Sequence, residues 1–249
     1  MKHQVDAAKR FQSGLVRHGI ESLVVSASLF YACDLAVFWG HRQKEIINHQ
    51  RKNGAHYLVM ERGYIGDRFK WTSLGFDGLN GRAKFPDIFD GLHRWLKHFQ
   101  ELEQPWQAKY ANVALIMGQV PGDASIEGVD FVEWATRKAH LLRKEGWIVM
   151  FRRHPQCRNM ELPLTMNMPG DLQDALKNAC KVFTFNSNSG VDAIMAGVPA
   201  MADDAGSMIY GLDGGYFDRK PWEQKMSYTQ WTEGEIERGE AWEALKTVI

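Results

Sequence analysis

Cysteine is scarce in this chain and shows no pairing pattern. Cys33, Cys157 and Cys180 are odd in number, far apart, and lack CxxC or CxxH spacing. That argues against a disulfide framework and against a thiolate metal site; structural thiols in a reducing compartment are the expectation. A surplus of charge is also missing, since Lys+Arg and Asp+Glu both number 30. A protein held to nucleic acid by a global positive field would need such a surplus, so only a local basic patch stays open. Long apolar runs are absent as well. The longest stretches, such as residues 113–117 and 147–151, are far below spanning length, which excludes a helical membrane span. The segment MKHQVDAAKRFQSG carries no apolar region of the signal-peptide kind, so a cytoplasmic protein is expected.

What is present is an ordinary globular composition, 45% hydrophobic and 24% charged over 249 residues. That length suits one large domain or two small ones and can bury a core without a metal or disulfide staple. Nine tryptophans is a high count, and most should lie in cores or interfaces.

The pattern along the chain alternates between helix and strand. Residues 5–18 predict a helix with Val5, Ala8, Phe11, Leu15 and Val16 on one side, and residues 21–26 a short strand. LAVFW at 35–39 is a continuous apolar run ending in Gly40, the mark of a buried parallel strand. A helix over 43–52, closed by Asn53-Gly54, and a strand over 56–60 complete a βαβ unit. Residues 63–81 are glycine-rich and aromatic without a period and read as a long functional loop. A helix is expected over 86–99 and a linker over 101–109. A second series then runs strand 112–117, glycine-rich turn 118–128, helix 130–145, strand 147–151, helix 171–179 capped by Asp171, strand 181–185, helix 190–196 and strand 198–202. The remainder, with Trp222, Trp231 and Trp242, reads as a polar helical tail. The expectation is therefore α/β: a lobe over 1–105, a second over 106–220, and a tail over 221–249 that packs back across the cleft between them.

Three blocks in the second lobe carry chemistry. In FTFNSNSGVDAIMAGVPA a strand ends in Asn186-Ser187-Asn188-Ser189-Gly190 and a helix begins at once, so free N–H groups at the helix start would meet a phosphate. Asp192 in the first turn could accept from ribose hydroxyls; its plainer role is to satisfy the helix dipole. Arg152-Arg153-His154-Pro155 follows a strand, where ligands bind in open parallel sheets, and could neutralise phosphate or be a solvated strand end. GQVPGDASI follows another strand; Gly118 permits close backbone approach, and Asp123 is a candidate general base, although a plain Pro-Gly turn also fits. All three blocks fall at carboxyl ends of strands in one lobe, and that convergence outweighs any one of them.

The order GQVPGDASI, RRHP, FNSNSGVDAIMAGVPA resembles the C-terminal lobe of bacterial capsular-polysaccharide synthesis proteins, a group that includes Kdo transferases with GT-B-like folds and a CMP-activated donor. The resemblance spans roughly residues 112 to 204. It implies two Rossmann-like lobes with a cleft, and a glycosyltransferase moving a sugar from a nucleotide-sugar donor to a hydroxyl. It implies that Arg153 and His154 meet donor phosphate, that Ser187, Asn188, Ser189 and Gly190 line the nucleotide pocket, that Asp192 meets its sugar hydroxyls, and that Gln119 and Asp123 face the cleft. Arg152-Arg153 departs from the Lys-Pro often found before HP in that group. Compact chains of this kind also occur among phage glycosyltransferases that decorate DNA bases, which leaves glycan and DNA acceptors both open.

A GT-B enzyme holds its acceptor in the N-terminal lobe. There His41, Glu61 and Asp67 are candidates to activate a hydroxyl; a helix cap for His41 and an ion pair of Glu61 with Arg62 are the plainer roles. No metal and no cofactor beyond the nucleotide-sugar is expected. A sugar-nucleotide epimerase of similar fold and a catalytically inactive sugar-nucleotide-binding protein are the competing readings.

Overall fold

The structure is a computed structural model that describes residues 2–26, 32–109 and 112–249. It divides into two compact units, Met1–Gln100 with Arg219–Ile249, and Glu101–Asp218.

In chain order the first unit opens with α1 (Lys2–Arg17), β1 (Leu35–Trp39), α2 (Lys44–Lys52), β2 (His56–Arg62), β3 (Trp71–Phe76) and α3 (His93–His98). The second holds β4 (Val113–Met117), α4 (Phe131–Lys144), β5 (Ile148–Arg152), β6 (Met166–Asn167), α5 (Leu172–Asn178), β7 (Lys181–Thr184), α6 (Ser189–Met195) and β8 (Ala200–Ala202). The chain then returns to the first unit as α7 (Lys220–Ser227), β9 (Gln230–Thr232), α8 (Glu233–Glu237) and α9 (Glu240–Leu245).

The second unit's sheet runs β6-β5-β4-β7-β8, parallel throughout. Its central strand β4 is apolar from end to end and buried beyond Val113, as a strand inside a parallel sheet requires. α4 packs Phe131, Trp134, Ala135, Ala139 and Leu142 against it. Asp130 starts that helix by accepting from the Glu133 amide at 2.9 Å, and Gly146, at φ 86°, turns the chain out of it. Residues 103–109, most of the stretch 101–109 read from sequence as a linker, are instead bonded into this unit. The Gln104 and Gln107 amides donate to Met195 and Gly197 carbonyls, and the Trp106 indole to Phe217.

The first unit's sheet, β1-β2-β3-β9, departs from the expected Rossmann-like lobe. β1 and β2 are parallel around α2, as the βαβ reading requires, but β3 and β9 are antiparallel. The stretch 63–81 is a hairpin turn, the strand β3 and a second turn, rather than one long loop. β3 showed no period because its residues after Trp71 are buried on both faces. The tail is not polar packing material: Trp231 and Trp242 are buried in the main cluster with Phe11, Leu58, Leu74 and Leu245, and β9 completes the sheet. Two further readings fail locally. Residues 21–26 form no strand, and the helix expected over 86–99 starts only at His93, because Gly91 and Leu92 take left-handed φ of 64° and 68°. On α1 the buried residues are Phe11, Gly14 and Leu15, whereas Val5 and Val16 face outward.

Candidate functional site

In the parallel order β5-β4-β7-β8, the loops after all four strands leave one sheet edge. Gly118 is the first residue beyond β4. Its amide donates to the Arg152 carbonyl at 2.8 Å, and a Cβ there would lie 2.8 Å from the His154 nitrogen. Glycine therefore lets the two strands stay joined one residue further and brings His154 against the β4 loop.

A buried amide knot joins three of these loops. Gln119 donates through Nε2 to Asn186 Oδ1 at 2.8 Å and accepts from the Asn186 amide at 3.0 Å. Asn186 Nδ2 donates to the Ser125 carbonyl at 2.7 Å and to Asp204 Oδ1 at 2.8 Å. Gln119 and Asn186 are 6% and 5% exposed, so both act on the site by fixing loops. Asp204, to which the sequence reading gave no role, anchors the knot from the β8 loop; nothing local in the sequence marks it. Its neighbour Asp203 accepts from the Trp134 indole at 2.9 Å and pairs with Lys138 at 2.6 Å.

Asp123 lies exposed on the β4 loop and accepts from the Ser125 amide and hydroxyl at 2.9 and 2.8 Å, capping the short turn Ala124–Ile126. At the carboxyl end of β5, Arg152 donates to the Gly170 carbonyl at 2.8 Å, while Arg153 donates to the Arg158 carbonyl at 3.0 Å and pairs with Glu161 at 3.3 Å. Arg153 thus braces the loop that follows β5, while Arg152 ties the strand's end to the turn before α5. His154 Nδ1 accepts from the Gln156 amide at 3.2 Å, which leaves Nε2 to carry the proton of the neutral ring. Burial holds the His154 pKa below its ordinary value; the Asp123 carboxylate pulls it back up and the Arg152 charge pushes it further down. Asp123 and His154 therefore sense each other across two loops.

The β7–α6 turn differs from expectation at its amides. The Ser187 amide donates to Thr184 Oγ1 at 2.8 Å, and Ser187 Oγ accepts from the Ser189 amide and hydroxyl at 3.2 and 2.7 Å. The Gly190 amide donates to the Ser187 carbonyl, and those of Val191 and Asp192 to the Asn188 carbonyl. Hence the N–H groups expected free at the helix start are engaged locally, because the serine and the tight turn satisfy them first. Gly190 is a packing glycine: a Cβ there would lie 2.6 Å from Ile209 Cδ1 and 3.2 Å from Thr184 Cγ2. Asp192 sits half-buried in the first turn of α6.

In the first unit, His41 and Glu61 share the carboxyl end of β1 and β2. Gly40, at φ 74°, donates to the Met60 carbonyl, and a Cβ on it would lie 3.5 Å from Glu61 Oε1. The Glu61 carboxylate therefore lies over the turn that carries His41. Glu61 also lines a crevice with Tyr64, Ser73 and Asn80, in which Ser73 donates to the Tyr64 hydroxyl at 2.8 Å. Burial pushes the Tyr64 phenol pKa up; the Ser73 bond opposes this and the Glu61 charge adds to it. Asp67 lies at the same strand end but is exposed and accepts from the Phe69 amide at 3.1 Å, capping its own turn.

No protein-family model and no curated protein matches the sequence. Among solved structures, the chain is similar to Thermosulfurimonas dismutans KpsC, the beta Kdo 2,4 transferase, with 15% identity and a TM-score of 0.52 over 77% of this chain and 78% of that one. It is likewise similar to the beta Kdo 2,7 transferase of the same KpsC, with 15% identity and a TM-score of 0.54 over 81% and 82%. At that identity the likeness fixes architecture alone: this is a mixed α/β chain whose fold is like that of these two structures.

Proposed function

We propose that the chain is a nucleotide-sugar-dependent glycosyltransferase of the GT-B type, moving a sugar from its donor to a hydroxyl acceptor. The observation that carries the reading is the gathering of the β4, β5, β7 and β8 loops at one sheet edge, three of them tied there by the Gln119–Asn186–Asp204 knot, in a fold shared with two sugar transferases. In this reading the donor phosphates lie over His154, whose Nε2 donates to them, and against the Ser187–Asn188–Ser189 turn. Arg152 and Arg153 supply positive field, Gly118 and Gly190 shape the floor, and Asp192 meets the donor's sugar hydroxyls. Negative charge developing on the leaving phosphate is stabilised by these groups more in the transition state than in the ground state. Glu61 is the favoured acceptor base, with His41 beside it; Asp123 tunes His154, and Asp67 caps its turn. A glycan hydroxyl is the favoured acceptor, by likeness to the Kdo transferases; a DNA base has no such support.

The test is a thermal-shift series with CMP-, UDP- and GDP-sugars. A donor that binds only the folded chain raises its melting temperature, by about 2.7 kcal/mol of added stability at a hundredfold excess over Kd. One donor class should give a shift, and His154→Ala should remove it. The reading fails if no nucleotide-sugar shifts the transition or if His154→Ala shifts as wild type does.

A further inference from the structure

Arg62 ends β2 on the opposite face from Glu61, and it is held in an unusual way. Its guanidinium lies over the Trp39 ring, 5.3 Å from the centroid, and over the Phe69 ring at 4.7 Å. Trp39 is itself steadied by the edge of His3, with centroids 5.0 Å apart. Phe69 projects from the 63–70 hairpin turn and is 75% exposed although it is large and apolar. The turn is made rigid beneath it: Asp67 caps the Phe69 amide, and Arg68 donates to the Gly63 carbonyl at 2.7 Å. Among the described residues the Arg62 guanidinium makes no ion pair and no hydrogen bond. Arg68, on the same hairpin turn, is by contrast bonded to backbone.

Such a clamp fixes the plane of the guanidinium and leaves its N–H fork without an acceptor. A fork held flat matches the two oxygens of a carboxylate or phosphate. An exposed ring against the cation adds a face on which a sugar ring can stack. We propose that Trp39, Arg62 and Phe69 form an anion-recognition subsite for an acidic saccharide, one bearing a carboxylate or a phosphate, at the strand end that also carries Glu61 and His41. This rests on the glycosyltransferase reading only in assigning the ligand to the acceptor side; the oxyanion chemistry stands on the clamp itself.

The test is calorimetric titration of the full chain, without donor, with glucuronate, glucose 1-phosphate and glucose at low salt. At least one of the two acids should bind and glucose should not, and the stronger acid identifies the oxyanion. Arg62→Met keeps the apolar stem between the rings and should lose on the order of tenfold to a hundredfold in affinity, the range of a charge-assisted hydrogen bond. Arg62→Lys restores charge without the fork and should recover only part of it. Phe69→Ala should weaken the acid that binds. The subsite is overturned if neither acid binds, if glucose binds equally, or if Arg62→Met binds as wild type does. The nucleotide-sugar shift separates this from the parent reading: a shift with no Arg62 effect sinks the subsite alone, and acid binding at Arg62 with no nucleotide shift sinks the transferase alone.

Discussion

Two charged side chains show how far a residue's meaning depends on what surrounds it. Glu235 is 3% exposed and Arg94 forks onto it, while the Arg94 guanidinium also donates to the Ser227 and Gln230 carbonyls and stacks 4.2 Å from the Trp231 centroid. Burial alone would raise the Glu235 pKa, but the Arg94 bonds and charge, with the Thr232 cap, carry it down to about 2. Removing one member of such a buried pair strands the other, so Arg94→Ala should cost about 3–5 kcal/mol in denaturant unfolding. The sign with pH follows: the contribution of Glu235 is whole above its ordinary 4.5 and is lost as pH falls toward about 2. His154 moves in the other chemical class with the same consequence. Its folded pKa lies below 6.5, so the unfolded chain takes up the proton first and stability declines as pH drops below that value. Asp123→Asn removes the one carboxylate that lifts this pKa. NMR titration of His154 should then show a lower midpoint than wild type, and an unchanged or higher midpoint would deny the coupling.

Among the elements, glycines decide which neighbours can meet. Gly118 joins β4 to β5, and a methyl group there must displace backbone atoms of Arg152 and His154 at 2.9 and 2.8 Å. Gly118→Ala should therefore destabilise by roughly 1–3 kcal/mol and weaken the nucleotide-sugar thermal shift together, since the same displacement moves His154. Gly197 is harsher: it sits at φ 72°, and a Cβ would fall on the Pro105 carbonyl. Gly197→Ala should release the 103–109 segment, read as faster hydrogen exchange at the Gln104 and Gln107 amides. At this scale the sequence was informative where one face met water or where the run was continuously apolar. β1, β2, β4, β5, β7 and the helices α2, α4 and α5 fall close to their predicted places, and Asp171 caps α5 as read. It misled at β3, where burial on both faces erased the period, and over 86–92, where left-handed residues broke a helical composition.

For the whole molecule, the informative feature is the return of the chain into its first unit. Among the described residues β9 pairs with β3 alone, and α8 packs on α1 so closely that Gly14 has no room for a side chain beneath the Ile236 carbonyl. Chain ending at Asp218 should lose the cooperative folding of residues 1–100 while unit Glu101–Asp218 stays protected. Hydrogen exchange on the truncated chain reads both at once, and protection retained across β2 and β3 would contradict it.

By itself, the sequence determined the local alphabet: which runs are strands, which loops carry serine, arginine and histidine, and that the candidate donor loops all follow strands of one series. Parallel order did the rest for their convergence, since strands of a parallel sheet share one carboxyl edge. Only the tertiary structure decided what each group is free to do. The α6 amides are taken up by Ser187 and Asn188, Arg153 is drawn to Glu161, Asp204 anchors Asn186, and Arg62 is clamped between two rings from different strands and turns. The reason is physical: hydrogen bonds and ring contacts are settled by distances of a few ångströms between segments far apart in sequence, and no local pattern of residues encodes those distances.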